Sequence, residues 1–181
     1  LVSCYNDSMD IMIDIETVGT GPDACILTIA AQTFDPFSVG YHKQDYYARV
    51  DVDSQPDREV DDATVEWWAT QPQQAQDEAF SEEGRIPLRQ ALEELSKICF
   101  HCNLTWANGT TFDMVILENA MKQLGLPIPW QFWNVRDART VYSLYPDLPK
   151  PRASHHALED CRRQIDLLQQ TIKHLKVSGL K

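Results

Sequence analysis

Apolar and polar residues alternate through Met9-Asp10-Ile11-Met12-Ile13-Asp14-Ile15-Glu16-Thr17. A period of two predicts a strand with Ile11, Ile13 and Ile15 on one face. Asp14 and Glu16 then project together from the other face, about 7 Å apart. Gly19-Thr20-Gly21-Pro22-Asp23 is a turn by composition. Cys25 to Phe34 is an apolar, β-permissive run ended by Asp35-Pro36, and Gln44 to Val52 reads as a third strand. The short links predict antiparallel neighbours. Asp62 is expected to cap a short helix through Ala69, with another helical turn or two over Gln73 to Phe80. Adjacent helical residues lie about 100° apart, so Trp67 and Trp68 cannot both face one core.

Pro87 to His101 is an amphipathic helix, with Leu88, Ala91, Leu92, Leu95, Ile98 and Cys99 at i, i+3, i+4 spacing. Leu104 to Ala107 is a short strand, Asn108 to Thr111 a turn, and Phe112 to Leu124 a helix ended by Gly125. Phe132 to Arg136 reads as a strand, Asp137 to Leu144 as a short helix, and Tyr145 to Arg152, with three prolines, as a loop. From Ser154 runs the longest helix, its seam formed by Leu158, Cys161, Ile165, Leu168, Ile172 and Leu175. Three strands followed by alternating helices and strands predict an α/β fold: a mixed central sheet with helices on both faces. A length of 181 residues fits one domain over residues 9–181, with residues 1–8 a native extension or an expression remnant.

Composition narrows the function. Hydrophobic content of 43% and charged content of 24% are those of a globular protein, and no apolar run reaches the length of a membrane span. Leu1 to Ser8 lacks the basic and apolar regions of a signal peptide. Five scattered cysteines predict reduced thiols in a cytoplasmic protein. Cys99-Phe100-His101-Cys102 looks like half a zinc site, but structural zinc needs four ligands and no second pair has suitable spacing. A net charge of −11 argues against a protein that coats nucleic acid through a basic face. It leaves room for an enzyme that meets phosphate through metal ions.

Two carboxylates on an apolar strand, with no Lys or Arg beside them, call for a cation held by oxygen; the alternative is a solvated strand end. Asp113, at a helix start, and Asp160, one turn into the last helix, add two more acids, and His155 and His156 precede Asp160. The bland alternatives are a first-turn aspartate, a solvated helix face and a surface histidine. Taken together, four carboxylates and a histidine are what two-metal phosphodiester hydrolysis requires. Two ions about 3.5–4 Å apart clamp the attacking and leaving oxygens, and Mg²⁺ and Mn²⁺ prefer oxygen ligands.

Three motifs carry a resemblance. Asp14-Ile15-Glu16-Thr17, Asn108-Gly109-Thr110-Thr111-Phe112-Asp113 and His155-His156-Ala157-Leu158-Glu159-Asp160 match, in order, the motifs of the DEDDh 3′–5′ exonucleases of the ribonuclease H-like fold. Thr64 to Trp68 and Phe132 to Thr140 further resemble the phage DexA and mycobacterial ribonuclease AS group, which implies a phage or prophage source. The resemblance implies a 3′–5′ exonuclease with two divalent cations, Mg²⁺ or Mn²⁺, releasing nucleoside 5′-monophosphates. Asp14, Glu16 and Asp160 would hold the first ion. Asp14 would bridge to the second, which Asp113 supports, and His155 would be the general base. Ile15, Thr17, Trp67 and Trp68 would lie near the terminal nucleotide, with Asn108 and Phe112 as further substrate-binding candidates. The expected partner is a single-stranded DNA or RNA 3′ end, with a homodimer also expected. A silent binding module and a ribonuclease H-type endonuclease remain the alternatives.

Overall fold

The computed structural model describes residues 9–149 and 153–179. Strand β1 (Asp10–Thr17) is the middle of a five-stranded sheet ordered β3-β2-β1-β4-β5. It pairs antiparallel with β2 (Ile26–Phe34) and parallel with β4 (Thr105–Ala107). The edges are β3 (Asp45–Arg49), antiparallel to β2, and β5 (Val135–Asp137), parallel to β4. The helices are α1 (Asp62–Ala69), α2 (Gln73–Phe80), α3 (Leu88–Cys99), α4 (Asp113–Gln123), α5 (Ala138–Tyr142) and α6 (Ala157–Leu175). None of them is long and apolar enough to cross a membrane.

The alternation along β1 sorts the layers. Ile11, Ile13 and Ile15 pack with Leu92 and Leu95 of α3 and with Ile116 and Leu117 of α4. Met12 turns the other way, with Phe34 and Trp106, onto Cys161, Ile165, Leu168 and Ile172 of α6. The sheet is therefore mixed and covered on both faces, as the pattern predicts. β1 pairs with β4 only from Ile11 to Ile13, so Asp14 to Thr17 run on past the end of β4. That leaves a crevice at the carboxyl ends of the parallel strands, the usual ligand position in open α/β sheets.

A smaller core forms around Trp68, which packs with Val18, Cys25, Leu27, Ala75 and Ala79. Its indole N–H donates to the carbonyl of Thr17 at 2.8 Å. Arg58, also buried, donates to the carbonyls of Pro22, Ala24 and Ile116 and to the side chains of Asn119 and Gln123. It thereby ties the β1–β2 turn to α4.

Several boundaries differ from the sequence reading: β3 ends at Arg49 instead of Val52, α3 at Cys99 instead of His101 and α5 at Tyr142 instead of Leu144, and three further differences bear on the site. Asp61, not Asp62, caps α1: its backbone is extended and its carboxylate accepts from the N–H groups of Ala63 and Thr64, while Asp62 is already helical. Phe132–Asn134 is a 3₁₀ turn and the strand is displaced to Val135–Asp137, the residues that meet the three-residue β4. The last helix begins at Ala157 instead of Ser154, because His155 has φ +58°, a left-handed conformation that no helix accommodates. The expected loop ending at Arg152 lies partly outside the described residues. Trp68→Ala removes a filled core position and should lower stability by about 3–5 kcal/mol. Urea denaturation measures this, and a loss below about 1 kcal/mol would contradict the packing described.

Candidate active site

Asp14 points from β1 toward α6, where its Oδ1 accepts from the side-chain amide of Gln164 at 2.7 Å. Asp113, the first residue of α4 and 5% exposed, accepts from the backbone N–H of Ile15 at 3.2 Å. Asp160 lies beside the apolar seam, and α6 buries it against the sheet, 3% exposed. It accepts from the N–H of Ser154 at 2.9 Å, the hydroxyl of Ser154 at 3.2 Å, the N–H of His155 at 3.1 Å and Nε of Arg163 at 3.1 Å. Glu16, His155 and Asp160 bring potential ligand atoms within 4.8 Å of one another.

Burial, then the charges of Asp113 and Glu16, holds the Asp14 carboxyl well above the usual carboxylate range. Burial, then Asp160 and Asp113, pushes Glu16 up to about 8. Burial lifts Asp113 to about 7 against the opposing N–H of Ile15. Each acid is thus held back from ionising by low dielectric and by its neighbours. A divalent cation removes that conflict, and an oxygen-rich donor set suits a hard one. The side-chain oxygen of Gln164, buried and without a hydrogen-bond partner among the described residues, adds a neutral acceptor beside Asp14. The residues present therefore fit divalent cations.

A cavity of about 570 Å³ adjoins this cluster, lined by Glu16, Thr17, Thr64, Trp67, Phe112 and His155 among others. Trp67 and Trp68 divide as neighbouring helical residues must: Trp67 is 44% exposed at the cavity and Trp68 is 2% exposed in the core. Trp68 therefore has no free face for a base, and the open indole is Trp67. Edges of both rings meet His155, at 5.3 and 5.8 Å between centroids. Nδ1 of His155 lies 3.9 Å from Oε1 of Glu16. His156 faces away, stacked on Tyr47 at 4.9 Å.

The hydroxyl of Thr17 donates to the carbonyl of Gly19, and the carbonyl of Asn108 accepts from Arg139. Gln164, Arg163, Ser154 and Thr64 were missed from sequence. Gln164 and Arg163 stand four and three residues after Asp160, on its helical face, a signal that was available. Thr64 offered none. A larger hollow of about 730 Å³ lies along α6 between Phe37, Val39, Asp166 and Lys173. It lacks a convergent donor set.

A family model described as the 3′-5′ exoribonuclease Rv2179c-like domain matches residues 9–172. The exodeoxyribonuclease of Enterobacteria phage T4 is 24% identical over 204 residues, covering 91% of this chain and 89% of the relative. The nuclease domain of 3′hExo, a DEDDh family member bound to rAMP, has TM-score 0.64 and 11% identity over 92% of each chain. S. pombe Pop2p in its Mg²⁺- and Mn²⁺-bound form has TM-score 0.61 and 10% identity over 95% of this chain and 86% of that one. Cell-death related nuclease 4 has TM-score 0.59 and 15% identity over 92% of this chain, which spans 64% of that longer one. At these identities the structures speak for the fold. The chain belongs to the 3′-5′ exoribonuclease Rv2179c-like family and is a nuclease of the exonuclease type.

Proposed function

We propose that the protein is a two-cation 3′–5′ exonuclease that removes nucleoside 5′-monophosphates from single-stranded nucleic acid. The observation that carries this reading is the convergence of Asp14, Glu16, Asp113 and Asp160 beside a cavity that holds His155 and Trp67. In this reading Asp14, Glu16, Asp113 and Asp160 would hold two divalent cations, Mg²⁺ or Mn²⁺. The cations neutralise the phosphate and acidify the attacking water when bound. His155, with Nδ1 3.9 Å from Oε1 of Glu16, accepts the water's proton on an imidazole nitrogen.

Trp67 stacks the terminal base, with Thr17 and Phe112 in the same cavity and Asn108 as a further contact, whereas the side chain of Ile15 is in the core and offers the nucleotide nothing. Stacking tolerates any base and is worth roughly 1–3 kcal/mol per base. A paired end must first open, at a cost of a few kcal/mol. The family description names an exoribonuclease and the T4 relative an exodeoxyribonuclease, so the assay takes ribose and deoxyribose substrates in parallel. The T4 likeness also supports a phage or prophage source.

Metal-free stability should fall as pH rises. The folded chain keeps protons on Asp113 up to about 7 and on Glu16 up to about 8, which the unfolded chain loses near pH 4. Their contribution is complete below pH 4 and gone above pH 8. Cations bind the ionised form, so millimolar Mg²⁺ should raise Tm more at pH 8 than at pH 6. No Mg²⁺-dependent rise at pH 8 in a thermal scan would count against a cation site here.

On 5′-labelled single strands the enzyme should yield a ladder shortening from the 3′ end, abolished by chelator and by Asp14→Asn. His155→Ala should slow turnover by about 10²–10⁴-fold. Full activity in excess chelator, or internal cuts, would refute the reading.

Single strands should be consumed faster than blunt duplexes, and Trp67→Ala should raise KM by about 5- to 100-fold. Steady-state kinetics on both substrates measures this, with faster loss of the duplex as the contrary result.

A further inference from the structure

The two adjacent histidines are braced from different elements. His155 has a left-handed backbone, φ +58°, and the next residue, His156, is the N-cap of α6 with an extended one. This kink sends consecutive side chains to opposite sides. The ring of His155 meets Trp67 and Trp68 of α1, while the ring of His156 stacks on Tyr47 of β3 at an interplanar angle of 27°. Nε2 of His156 lies 3.9 Å from Oε1 of Glu78 on α2. That same oxygen accepts from the hydroxyl of Tyr47 at 2.5 Å and from Nη2 of Arg49 at 2.7 Å. Glu78 is therefore fixed by two donors before His156 approaches it. The backbone N–H of His156 donates to the hydroxyl of Ser154, which itself donates to Asp160.

We propose that His156, gripped by Tyr47 and Glu78, is a positioning residue that fixes the left-handed His155 with its imidazole over the carboxylate cluster. The inference rests on His155 being the proton acceptor. Left-handed backbone is costly for a β-carbon-bearing residue, so a segment this short keeps it only when held from outside. The peptide on the N-terminal side of His155 is held by Asp160, through the N–H of His155. On the C-terminal side the next side chain is that of His156, and its contacts are with β3 and α2, not with the cluster. Tyr47, Arg49 and Glu78 thereby acquire a part in the reaction without touching the cavity.

The test is a double-mutant cycle in single-turnover kinetics with Mg²⁺ and 5′-labelled single-stranded oligonucleotide. His156→Ala should lower kcat by about 10-fold, in line with the cost of sub-ångström misplacement, with KM changed less than about twofold. In the His155→Ala background the same change should remove nothing further, since its effect passes through His155. Glu78→Gln, which keeps the shape of the site, should lower kcat by a smaller factor at unchanged Tm. It stands in if His156→Ala fails to fold. Equal losses from His156→Ala in both backgrounds, or wild-type kcat in both His156→Ala and Glu78→Gln, would overturn the positioning role alone. An unchanged rate in His155→Ala would overturn the reading of His155 and the positioning role with it.

Discussion

Mutual repulsion among buried acids is the constraint on which the rest of this structure depends. Burial first, and then the charge of neighbouring acids, opposes the ionisation of Asp14 and Glu16, and burial opposes that of Asp113 beside them. Neutral donors relieve part of this. Gln164 serves Asp14, the N–H of Ile15 serves Asp113, and Ser154, His155 and Arg163 serve Asp160. Glu16 has no such donor among the described residues, and its carboxyl is pushed to about 8. The unequal relief leaves a negative site with unfilled oxygen lone pairs, which is the condition for binding a hard cation.

The surrounding architecture keeps those acids from moving apart. β1 is locked by pairing on both sides over Ile11 to Ile13, then runs free of β4 where its carboxylates begin. α6 is pressed to the sheet by Cys161, Ile165, Leu168 and Ile172, so Asp160 and Gln164 arrive on β1 as a consequence of core packing. Asp137 holds the Asn108–Thr111 turn through the N–H of Thr110 while capping α5 through Thr140. The start of α4, and Asp113 with it, is anchored to the edge of the sheet by that link. Hydrophobic burial supplies the energy, and the polar contacts decide where the charges end up.

α1 plays a double part. Its buried Trp68 fastens it to the carbonyl of Thr17, one residue beyond Glu16. Its exposed Trp67 then stands at the cavity at a fixed distance from the acids. Adjacent residues with opposite environments let one short helix be both anchored and functional. The same division recurs at His155 and His156, where a left-handed residue replaces the helical offset as the means of separating two neighbours.

The sequence by itself determined the local order. Period-two alternation located β1 and put Asp14 with Glu16 on one face, and i, i+3, i+4 spacing located α3 and the seam of α6. Three short motifs singled out the acids and His155, and His155 is the histidine whose side chain lies beside Glu16. These features were legible because each depends on residues within one or two turns of chain. Tertiary structure decided what depends on distant partners. It chose which tryptophan is buried, since that follows from the core beneath α1 and not from the dipeptide. It moved the cap of α1 to Asp61, ended the left-handed turn at His156, and raised Glu16 to about 8 through burial and two acids some 100 and 140 residues away. Dielectric and charge act through space, so no stretch of sequence holds the information until folding brings the groups together.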